Sequence, residues 1–81
     1  MTQTPHTLLD ERGTRCPLPI IALSNALRGL PGGSTVEIIA DDPAAEVDIP
    51  AWCRLKGAYL VDSCDAPDGQ GGTQYVVQLP S

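Results

Sequence analysis

Cys16 stands in the run Arg12-Gly13-Thr14-Arg15-Cys16-Pro17-Leu18-Pro19-Ile20. A thiol needs no such company to fill a core. Proline costs little in the first turn of a helix, because the first four helical amides have no intrahelical acceptor. With a helix beginning at Pro17, both prolines fall in that turn, and Cys16 falls at the N-cap or beside it. Unpaired amides and the positive end of the helix dipole then favour a thiolate. Arg12 and Arg15 add positive charge nearby. Each effect lowers a cysteine pKa, and the thiolate is the nucleophilic form. Such a thiolate can attack a sulfur atom, and the resulting persulfide would also be stabilised as an anion. The plainer alternative is a small hydrophobe at a helix start. A polyproline ligand is a third reading of Pro-x-Pro, and the apolar helical run that follows opposes it.

The elements that must position Cys16 can be read from periodicity. Residues 6–10 read as a short strand, and Gly13 marks a turn or a close backbone approach. Residues 17–30 read as a helix, with Ile20, Leu23, Leu27 and Leu30 on one stripe and Asn25 and Arg28 off it. Pro31-Gly32-Gly33 ends it. Residues 35–40 form the clearest strand, with β-branched Val36, Ile38 and Ile39. Asp42 is expected to cap a second helix with Pro43 at its first position. Asp48 and Pro50 look like a second start signal, so this helix is expected to bend or re-initiate before running to Lys56. Gly57 is its expected C-terminal cap. A third strand covers 58–63, and "DAPDGQGG" at 65–72 connects to a last strand whose Tyr75, Val77 and Leu79 share one face. The order is β-α-β-α-β-β. The expected fold class is α+β, a two-layer sandwich with a four-stranded mixed sheet and both helices on one face.

Composition narrows the function. The chain has 81 residues, enough for one modest core and one domain, and a chain of this size buries about 60–65% of its unfolded surface. Ten acidic residues against five basic ones give a net charge of -5, which disfavours direct nucleic acid binding. No window approaches a membrane span. The start, MTQTPHTLLD, has neither a basic segment nor an apolar signal core, so a cytoplasmic location is expected. Three cysteines make a poor disulfide framework, and a reducing compartment leaves at least one free to work as a thiol.

The remaining reactive residues have plainer readings. Cys53 lies in an apolar helical segment and reads as a core thiol. Cys64 lies near a strand end and reads as structural, facing opposite Tyr59, Val61 and Ser63 if strict alternation holds. His6 with the three cysteines lacks any Cys-x-x-Cys pair, so no metal site is expected. Asp41-Asp42 reads as a turn and helix cap. Gly69, Gly71 and Gly72 lie between strands and do not make a phosphate loop. Trp52 reads as a core anchor.

"LDERGTRCPLPI" resembles the N-terminal signature of the small TusA/SirA-like sulfur carriers, whose hallmark is Cys-Pro-x-Pro. Asp42-Pro43 and "DIPAWCRLKG" at 48–57 extend the resemblance over almost the whole chain. It implies the same two-layer fold, with 1–81 as one sulfur-carrier domain and residues 1–5 flexible. It implies that Cys16 accepts sulfur as a persulfide, with Gly13, Pro17 and Pro19 matching the motif. Arg12 and Arg15 are supporting candidates that tune the thiolate or steer a partner. Thr14 departs from the apolar residue, often leucine, common at this position, which bears on local contacts and partner preference. The implied partners are a donor protein, a cysteine desulfurase or rhodanese-like, and an acceptor protein. No cofactor is implied, and the activity is that of a carrier rather than a conventional turnover enzyme. Relatives serve tRNA thiolation, sulfur oxidation and molybdoenzyme maturation. The rival readings are a non-catalytic interaction module, for which Cys16 is dispensable, and a redox protein pairing Cys16 with Cys53 or Cys64.

Overall fold

Among the described residues, six elements follow one another: β1 (His6–Asp10), α1 (Leu18–Arg28), β2 (Thr35–Ala40), α2 (Ala45–Lys56), β3 (Tyr59–Asp65) and β4 (Thr73–Gln78). The structure, a computed structural model, describes residues 6–15 and 18–80. The expected flexibility of 1–5 therefore lies outside the described residues, as do Cys16 and Pro17.

The sheet is mixed and runs in the order β1-β2-β4-β3. β1 and β2 pair in parallel, joined by α1, while β4 lies antiparallel to both β2 and β3. The last strand thus inserts between β2 and β3, leaving β1 and β3 at the edges. Val36, Ile38 and Ala40 of β2 share one face with Tyr75 and Val77 of β4, and they build one core with Leu23 of α1 and Ile49, Trp52 and Cys53 of α2. Both helices therefore cover the same face. Ile20, Leu27 and Leu30 of the expected stripe pack against that core. The Trp52 indole N–H donates to Ser24 Oγ at 3.1 Å and ties the two helices together.

The second helix corrects two expectations. Asp42 does not cap it, and Pro43 is not its first residue. Asp42 Oδ1 instead accepts from the Ala44 N–H at 3.0 Å, closing a tight turn, and the helix begins at Ala45. Nor does the helix re-initiate at Asp48. It runs unbroken through Pro50, which has no N–H to offer the Glu46 carbonyl four residues back. Gly57 closes the helix as expected, at φ 71, with its N–H on the Arg54 carbonyl.

A register shift between Leu60 and Asp62 corrects a third expectation. The extra residue breaks strict alternation in β3. Tyr59 pairs with Gln78 and Cys64 with Gln74, two positions on the same face of β4. Cys64 therefore lies on the same, helix-free face as Tyr59. That face carries the rows Leu8, Glu37, Val76, Asp62 and Asp10, Ile39, Gln74, Cys64. None of the four strands contains a lysine or arginine.

Candidate sulfur-transfer site

The loop leading to Cys16 is tied down before it reaches the cysteine. The Glu11 N–H donates to the Ile39 carbonyl at 2.8 Å, extending the β1–β2 ladder beyond the strand end. The Thr14 N–H and hydroxyl both donate to the Glu11 carbonyl, at 3.2 and 2.7 Å, which closes a turn. Thr14 thus spends its hydroxyl inside the loop. Gly13 takes φ 84, a left-handed conformation that a side chain makes costly. Its N–H donates to both carboxylate oxygens of Asp41, at 3.0 and 3.2 Å. On the far side, the Leu18 N–H donates to the Arg15 carbonyl at 2.8 Å, bringing together the chain on either side of residues 16 and 17.

Arg12 is committed to two carboxylates. Its Nε and NH2 group reach Asp10 at 3.0 and 2.8 Å, and its two terminal nitrogens reach Asp68 at 3.0 and 2.9 Å. It also donates to the Gly71 carbonyl at 3.3 Å. Its aliphatic stem lies against Gly72, where an added Cβ would meet the stem at 3.3 Å and the Ala40 carbonyl at 3.1 Å. One cation faces two anions, so this cluster is not a source of net positive charge. It fastens the end of β1 to the β3–β4 hairpin. Arg15, by contrast, is exposed and lines the cleft beside the loop. Sequence reasoning missed Asp68, which lies 56 residues from Arg12 and carries no local signal of the pairing.

The Arg12 cluster has a pH signature. The guanidinium hydrogen bond holds Asp10 down to about 2. The same guanidinium, with the Gln70 N–H, holds Asp68 below its usual value. A carboxylate with a depressed folded-state pKa stabilises the fold above its unfolded value and loses that contribution as pH falls through the folded one. The cluster should therefore be intact above about pH 4 and lost between about pH 4 and pH 2. Thermal melts of wild type and Arg12→Leu should show a gap at about pH 6 that narrows toward pH 2. A gap unchanged down to pH 2 would assign the effect of Arg12 to the packing of its stem.

α1 supplies the helix start. Its first turn holds no acidic residue, so no carboxylate opposes an anion there. Pro19 is buried against the fold, while Leu18 and Ile21 are exposed. The other thiols differ from each other. Cys53 is buried in the core, and burial pushes its thiol up. Cys64 is exposed at the end of the helix-free face. Among the described residues, no group of three His, Cys, Asp or Glu could hold a metal ion. No helix there is long and apolar enough to cross a membrane. A cleft of about 410 Å³ is lined by Gly13, Thr14, Arg15, Asp41, Asp42 and Pro43.

The comparisons with known proteins agree with this frame. The family model "Sulfurtransferase TusA" matches residues 7–78. The sulfur carrier protein TusA of Pseudomonas aeruginosa is 39% identical over 62 residues, covering 76% of this chain and 78% of that one. The sulfur carrier protein TusA of Pseudomonas paraeruginosa matches to the same extent. The crystal structure of a SirA-like protein from Desulfitobacterium hafniense superposes with a TM-score of 0.73. It covers 93% of this chain and 99% of that one, and at 20% identity it speaks to the fold. With the family model spanning nearly the whole length and the β-α-β-α-β-β sandwich in place, the chain belongs to the TusA/SirA-like family of small sulfur-carrier proteins.

Proposed function

We propose that this chain is a sulfur carrier that takes a sulfane sulfur onto Cys16 and passes it to an acceptor protein. The donor is a protein persulfide of the cysteine desulfurase or rhodanese-like type. The observation that carries this reading is the frame around residue 16. An anchored loop lies before it, and the acid-free first turn of α1 begins two residues after it. Membership of the sulfur-carrier family supports the same reading. Burial disqualifies Cys53 as a ready nucleophile, because a desolvated thiol resists ionisation.

In the transfer, the Cys16 thiolate attacks the outer sulfur of the donor persulfide. A bond forms between Cys16 Sγ and that sulfur, the donor's S–S bond breaks, and its electron pair leaves with the donor thiolate. A nucleophile on the acceptor repeats the exchange and releases Cys16. Oxidation level is conserved and no cofactor enters. Gly13 and Arg12 shape the loop, Pro17 and Pro19 restrict its freedom, and Arg15 supplies the exposed positive charge beside the cleft. Residues 1–81 act as one carrier domain, suited to the cytoplasm, where thiols stay reduced.

The three cysteines fall on separate tryptic peptides, because cleavage follows Arg15, Arg28, Arg54 and Lys56. After loading by a cysteine desulfurase with L-cysteine and alkylation, the extra sulfur should appear on the peptide of residues 16–28. Sulfur confined to the peptide of residues 29–54 or 57–81 would reject Cys16 as the acceptor.

A further inference from the structure

Asp41 and Asp42 are adjacent acids at the end of β2, yet they serve different parts of the molecule. Asp42 faces α2: its carboxylate accepts from the Ala44 N–H at 3.0 Å and its carbonyl from the Ala45 N–H at 2.9 Å. Asp41 reaches across to the cysteine loop, and its two oxygens share the Gly13 N–H at 3.0 and 3.2 Å. With the Ile39 carbonyl holding the Glu11 N–H, the end of β2 grips the loop at two residues of the same short run. Asp41 and Gly13 also both line the cleft beside that loop.

We propose that Asp41 is a positioning residue for sulfur transfer, holding the Gly13–Arg15 segment so that Cys16 is presented to its donor. The proposal rests on Cys16 being the sulfur acceptor. Its physical basis is the short lever between anchor and thiol: Gly13 is three residues from Cys16, and its left-handed φ makes it the loop's point of conformational freedom. Glycine loses more conformational freedom on ordering than any other residue, so an external anchor there removes a large share of the loop's alternatives. Asp41 is itself exposed and outside the core, so its loss should leave the fold standing.

The test compares Asp41→Ala, Asp41→Asn and Cys16→Ser with wild type. Two donors are used: glutathione persulfide, and a cysteine desulfurase charged with L-cysteine. Asp41→Ala should slow sulfur loading about tenfold with both donors, since misplacing a reacting group carries penalties of this order and beyond. Its Gly13 amide should exchange with solvent deuterium faster than in wild type. Asp41→Asn keeps an acceptor oxygen and should recover to within about threefold of wild type. Wild-type loading by a folded Asp41→Ala protein overturns the proposal. So does a defect seen with the protein donor alone, which would make Asp41 a docking group. Asn behaving like Ala would assign the effect to charge and also overturns it. Cys16→Ser separates the two levels of the argument: if it loads sulfur like wild type, the assignment of Cys16 itself fails. If it is inert while Asp41→Ala is unaffected, only the role of Asp41 is lost.

Discussion

Cutting Ile38 back to alanine should destabilise the fold by about 3–4 kcal/mol, within the range of about 2–5 kcal/mol for removing a large aliphatic side chain from a core. Ile38 is fully buried on the inner strand β2, paired with Leu9 of β1 on one side and Tyr75 of β4 on the other. It belongs to the core that both helices cover, packed among Leu23, Val36, Ile49, Trp52 and Val77. A domain of this size is stable by about 4–12 kcal/mol in total, so the loss takes a large fraction of it. In urea the unfolding midpoint should fall by about 3–4 M at a slope near 1 kcal/mol/M. A loss below about 1 kcal/mol would show that Ile38 does not anchor the sheet to the helices.

Much of this core was legible in the sequence because its signals are local. Four β-branched residues in six mark β2, the stripe from Ile20 to Leu30 marks α1, and alternation through Tyr75, Val77 and Leu79 marks β4. The insertion of β4 between β2 and β3 left no such trace, because strand order depends on contacts between segments distant in the chain. The misplaced start of α2 has a local cause of a different kind. An aspartate before a proline can cap a helix or close a turn on its own backbone, and here Asp42 does the second. The bulge near Val61 likewise inserts a residue without altering the apolar pattern around it.

The candidate site divides along the same line. Cys-Pro-x-Pro at 16–19 and the turn at Gly13 are visible as residue types at short spacing. The groups that hold the loop are not. Asp41 lies 28 residues from Gly13, and Asp68 lies 56 from Arg12. An aspartate beside a strand end looks the same whether it turns the chain or anchors a distant loop. Arg12 shows the cost of reading charge from sequence alone. It reads as free positive charge near a thiol, whereas two carboxylates surround its guanidinium.

Cys16→Ser should have the largest functional effect. A serine hydroxyl is not ionised near neutral pH and cannot form a persulfide, so loading should fall to background. The substitution exchanges one sulfur atom for one oxygen, so the protein should remain folded. The other two thiols then provide the internal control, one in the core and one on the helix-free face. The most direct measurement is the intact mass of two variants after incubation with a charged cysteine desulfurase. The chain with Cys16 as its sole cysteine, Cys53→Ala with Cys64→Ser, should gain one sulfur of about 32 Da that a reductant removes. Cys16→Ser should gain none. Sulfur uptake by Cys16→Ser equal to wild type, with none on the Cys16-only chain, would contradict the assignment.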